Sequence, residues 1–65
     1  MFIVLEVQVN ANGTVSTLVD SFADMNQAES KYHQVLAAAA VSNIPKHSAF
    51  LLIDDGFIES KSYTH

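Results

Sequence analysis

The only two glycines in this chain of 65 residues each follow a side chain suited to a tight turn, as Asn12-Gly13 and Asp55-Gly56. Glycine reaches positive φ without a steric penalty, and Asn or Asp before it tolerates the same region, so both dipeptides read as hairpin signals. The flanking residues agree. Phe2 to Val9 begins as a near-continuous apolar run and then alternates, with Ile3, Leu5, Val7 and Val9 set against Glu6 and Gln8. After the first turn, Val15 and Val19 alternate with Ser16 and Leu18 over Thr14 to Val19. Ser48 to Ile53 is apolar on both faces of a strand, and Asp55-Gly56 joins it through a two-residue type I′ turn to Phe57 through Tyr63. Period-two runs bounded by such turns predict two β-hairpins.

Between the hairpins, the stretch from Met25 to about Val41 contains no Gly or Pro. Asp24 stands at the N-cap position, and Gln27 three residues later has capping-box spacing. Ala28, Tyr32, Val35, Leu36 and Ala39 fall on one stripe at helical spacing, with Asn26, Ser30, Lys31 and Gln34 largely off it. The spacing therefore predicts one helix, its stripe on a sheet, ended by Ser42-Asn43-Ile44-Pro45 because proline cannot continue it. The doubly apolar runs Phe2–Leu5 and Ala49–Ile53 want central strands. The predicted architecture is an α+β single domain over residues 1–65: ββαββ, one helix on a four-stranded antiparallel sheet of order 2-1-3-4.

Size makes this fold marginal alone. A chain of this length buries only about 60% of its unfolded surface, and small domains generally add disulfides, metal or self-association. With no cysteine, disulfides and thiolate metal sites are out, and self-association remains. One helix covers one sheet face, and the other is left bare. Phe2, Val4, Phe50 and Leu52 are expected on that bare face, opposite Ile3, Leu5, Leu51 and Ile53, and form the expected interface of a homodimer or higher oligomer. The run Ala37 to Ala40 is the alternative seam, because small side chains permit close helix approach.

An apolar fraction of 49% with 15% charged residues is a folded composition. No apolar run approaches the ~20 residues needed to cross a bilayer, and the start lacks a signal-peptide pattern, so a cytoplasmic protein without membrane contact is expected. A net charge of −4, no arginine and three lysines argue against a direct nucleic-acid ligand.

Chemistry-bearing groups are sparse. Glu29 and His33 share a helix face at i, i+4, but with His47 at unknown distance they read as a surface pair rather than a metal site. Asp54-Asp55 is explained by the turn and Asp24 by the cap; no nucleophile elbow, P-loop or dinucleotide fingerprint is present. No catalytic residue, metal or cofactor is expected, and the chain reads as a non-enzyme. Tyr32, His33, Lys46 and His47 near the helix C-terminus are the candidate ligand-binding set, suited to a small polar or phosphorylated ligand if they converge.

The stretch AESKYHQVLAAAAVSNIPKHSA (28–49), the opening MFIVLEVQVNANGTV and the ending DDGFIESKSYTH resemble a family of short proteins encoded in prophages and mobile elements of Gram-positive gut bacteria. The likeness spans nearly the whole chain and implies an origin, not a mechanism. Taken with the acidic surface, the expected oligomer and the polar loop at the helix end, the expected function is that of an oligomeric binding protein that captures a host factor, either a defence protein or a small nucleotide-like signal. The alternative is a virion or tail-assembly accessory packed on another phage protein.

Overall fold

A computed structural model describes residues 1–54 and 56–65. The elements run β1 (Phe2–Val9), β2 (Val15–Phe22), α1 (Met25–Ala40), β3 (Lys46–Ile53) and β4 (Gly56–Thr64). The four strands form one sheet in the order β2-β1-β3-β4, with every neighbouring pair antiparallel. This is the expected topology.

Local chemistry sets the boundaries. Asn10 to Thr14 close the first hairpin: Gly13 N–H donates to Asn10 O at 2.9 Å, and Gly13 has φ 87°. Asn12 Oδ1 accepts from Thr14 N–H and Thr14 Oγ1, so a side chain holds the loop as a turn. β2 runs three residues past the expected Val19, because Asp20, Ser21 and Phe22 continue the ladder onto Val4, Ile3 and Phe2. In the second hairpin Gly56 pairs with Ile53 and so begins β4; the expected type I′ turn at Asp55-Gly56 falls on Asp55, outside the described residues. β3 begins at Lys46, two residues before the expected Ser48, paired with Val9 and Thr64.

Asp24 caps α1 by accepting from Asn26 N–H at 2.8 Å. The helix stops at Ala40, and Ser42 Oγ accepts from Ile44 N–H in the turn ahead of Pro45. Ala28, Tyr32, Val35 and Ala39 face the sheet and meet Val4, Ala49 and Leu51 in the core, with Phe2, Phe22, Met25 and Leu36 packed around it. Ala37, Ala38 and Ala40 remain exposed, so only Ala39 of the alanine run is used in packing. The chain's last residue ties the helix end to the sheet. His65 N–H donates to Pro45 O at 2.8 Å, and its ring Nε2 donates to Ala39 O at 2.9 Å, satisfying a carbonyl in the last helical turn. Among the described residues no helix is long and apolar enough to cross a membrane.

Candidate functional site

β2 and β3 both run antiparallel to β1, so they are parallel to each other and α1 is a crossover that passes over β1. Strand twist sets the hand of such a crossover. The side on which the helix lands is therefore fixed by backbone geometry and not by which face of β1 is more apolar.

The consequence is visible in the register. Val4 is opposite Leu51, and Leu5 opposite Phe50. Side chains directly across a ladder share a face, so Phe2, Val4, Glu6 and Gln8 lie under the helix with His47, Ala49 and Leu51. Ile3, Leu5, Val7 and Val9 lie on the bare face with Phe50 and Leu52. The expected interface set thus divides. Phe50 and Leu52 are on the uncovered face, whereas Phe2 and Val4 are on the covered one, Val4 only 2% exposed. A shift of one residue in relative register reverses a whole strand's faces, and that shift is what the assignment of β1 lacked.

The uncovered face is a grid of four strands by four rows. From one end, the rows read Ser21, Ile3, Leu52, Phe57; Val19, Leu5, Phe50, Ser60; Thr17, Val7, Ser48, Ser62; and Val15, Val9, Lys46, Thr64. Nine of these sixteen positions are apolar, and the single charge, Lys46, sits at the end of β3. The hydroxyls fall on β2 (Thr17, Ser21), on β3 (Ser48) and on β4 (Ser60, Ser62, Thr64), and Ser48 and Ser62 are bonded at 2.8 Å. The β1 column is apolar throughout. At the edges Val15, Val19 and Phe57 are each about three-fifths exposed.

The four candidate ligand residues do not converge. Tyr32 and His47 are sealed in the helix–sheet interface at 2% and 3% exposure. His33 is exposed on the helix, its ring tilted against that of Tyr32 with centroids 5.6 Å apart. Lys46 precedes His47 on β3 and so points to the other face of the sheet. The expected pocket at the helix C-terminus is therefore absent as a shared, open site. Successive strand residues alternate faces, and that alone separates Lys46 from His47.

Sequence reasoning missed the partner of His47. Its Nε2 bonds the Glu6 carboxylate, and Gln8 Nε2 donates to the same Glu6 oxygen at 3.3 Å. The pairing fixes the donor: a carboxylate accepts, so Nε2 carries a hydrogen. Nδ1 is buried without a hydrogen-bond partner among the described residues. Burial pushes the Tyr32 hydroxyl above the ordinary tyrosine value of 10.0, and the charges of Glu59 and Tyr63 on β4 add to that shift.

A shallow groove of about 360 Å³ runs beside α1, lined by Phe22, Gln27, Ser30, Lys31 and Gln34. It is open, and it holds neither imidazole nor carboxylate. Among the described residues no three His, Asp or Glu side chains gather as metal ligands do. Compared with protein-family models, curated proteins and solved structures, the chain matches none.

Proposed function

We propose that this chain is a non-enzymatic, prophage-derived protein-contact module whose working surface is the uncovered sheet face. The observation that carries the reading is the grid: the whole β1 column, Ile3, Leu5, Val7 and Val9, is apolar and uncovered, while the helix lies over a β1 face carrying Glu6 and Gln8. An apolar surface that spans four strands marks a contact site on a small protein. A protein partner suits it better than a small ligand. The face is broad and its pleat is regular, whereas small-molecule sites are concave and gather a few polar groups. Among the described strand residues it carries no carboxylate, since Asp20 pairs with Val4 and Glu59 with Leu51 and both therefore project on the helix side. Of the uses implied by the prophage resemblance, capture or assembly through protein contact fits this surface, and binding of a nucleotide-like signal does not.

The test uses the absence of native cysteine. Val7→Cys places one thiol in the middle of the face, and Gln34→Cys places one on the exposed helix surface. In lysate of expressing bacteria, maleimide labelling at position 7 is expected to be at least about tenfold slower than at position 34. Equal rates contradict the reading.

A further inference from the structure

We infer that the occupant of the uncovered face is a second copy of this chain, packed face to face about a two-fold axis that crosses the strands. This rests on the reading of that face as a protein-contact surface. Its size is the first argument. Four strands about 4.8 Å apart and eight residues of about 3.3 Å rise give a flat footprint of roughly 500 Å². Side chains corrugate the face, so two copies together remove on the order of 1,200 Å² from water, at the lower bound of stable specific interfaces.

Charge is the second argument, and it also selects the axis. A two-fold axis perpendicular to the strands sets each strand over its own copy and reverses the rows. The apolar β1 column then lies on the partner's β1 column, Leu5 over Val7 and Ile3 over Val9, and the hydroxyl-bearing β4 lies on β4. Lys46 falls over the row of Leu52, at the rim. The two lysines are three rows apart, roughly 20 Å, beyond the screening length at physiological salt. An axis along the strands instead places the apolar β1 column on β3, with Lys46 against Val9, and breaks the apolar seam. Sheets packed face to face sit about 10 Å apart with interdigitated side chains, which the Leu, Val and Phe of this face supply. Among the sixteen ladder positions of this face no carboxylate is brought into the interface.

Sedimentation equilibrium on the purified full chain, from about 1 to 100 µM, tests the proposal. The expected mass is twice the 7.1 kDa of one chain, and Leu5→Lys is expected to weaken association at least about a hundredfold. Because a lysine there also burdens folding, a second measurement uses the unaltered protein: isotope-filtered NOEs in a mixture of labelled and unlabelled chains. Contacts between Leu5 of one chain and Val7 of the other are expected. A single-chain mass throughout, or a dimer without those contacts, overturns the second copy. A single-chain mass with position 7 still protected in lysate leaves the contact surface standing with another occupant, whereas a single-chain mass with position 7 unprotected removes both readings.

Discussion

Leu5 and Phe50 face each other across the β1–β3 ladder on the uncovered side of the sheet, one step along from Val4 and Leu51, the equivalent pair beneath the helix. Two adjacent ladder pairs of similar composition thus have opposite fates. Leu51→Ala is expected to cost about 2–5 kcal/mol, because a fully buried leucine leaves a cavity that its neighbours fill poorly. That cost does not depend on protein concentration. If a second copy fills the uncovered face, Phe50→Ala acts through association and its cost is expected to grow as the protein is concentrated. Urea unfolding at two concentrations checks both, and a loss below about 0.5 kcal/mol for Leu51→Ala contradicts the packing.

The Glu6–His47 pair is a polar contact inside a small core, with side-chain exposures of 14% and 4%. Removing one partner strands the other. His47→Leu alone is expected to cost about 2–4 kcal/mol, somewhat below a fully buried pair because Glu6 retains some water. Replacing both, as Glu6→Leu with His47→Leu, is expected to restore stability to within about 1 kcal/mol of the original chain. A double variant less stable than the single one contradicts this account.

Tyr32 gives the chain an alkaline limb. Its hydroxyl loses its proton at higher pH folded than unfolded, so the folded state holds more protons above the ordinary value of 10.0. The stabilisation is full below 10.0 and is lost as pH rises toward the raised folded value. Tyr32→Phe lacks this loss. The stability difference between the two proteins is therefore expected to shift in favour of the variant between about pH 9 and about pH 11. A difference that stays constant across that interval removes the linkage.

The helix, both hairpins and the strand order were legible because each rests on local chemistry: Asp24 as cap, Pro45 as stop, Asn12-Gly13 as turn, and apolar runs that demand central strands. The faces were not. Assigning Val4 to the core requires the register between β1 and β3, two strands separated by 36 residues from Val9 to Lys46 that include a turn, a strand and a helix. No residue type reports that parity. For the same reason Glu6 reads as a solvent-facing charge in an alternating strand, and its meeting with His47 appears only once Val4 is set opposite Leu51. The ligand set failed on simpler grounds: Lys46 and His47 are consecutive in a strand that begins two residues earlier than Ser48.

Leu18 and Val19 offer an internal control for the central claim, because they are adjacent on β2, 61% and 62% exposed in the single chain, and on opposite faces of the sheet. Their methyl groups can be compared in one NMR sample containing a soluble paramagnetic agent. If the uncovered face is a contact surface filled by a second copy, Leu18 is strongly relaxed and Val19 is protected. Equal relaxation of the two at concentrations near 100 µM would show a bare face and contradict the account.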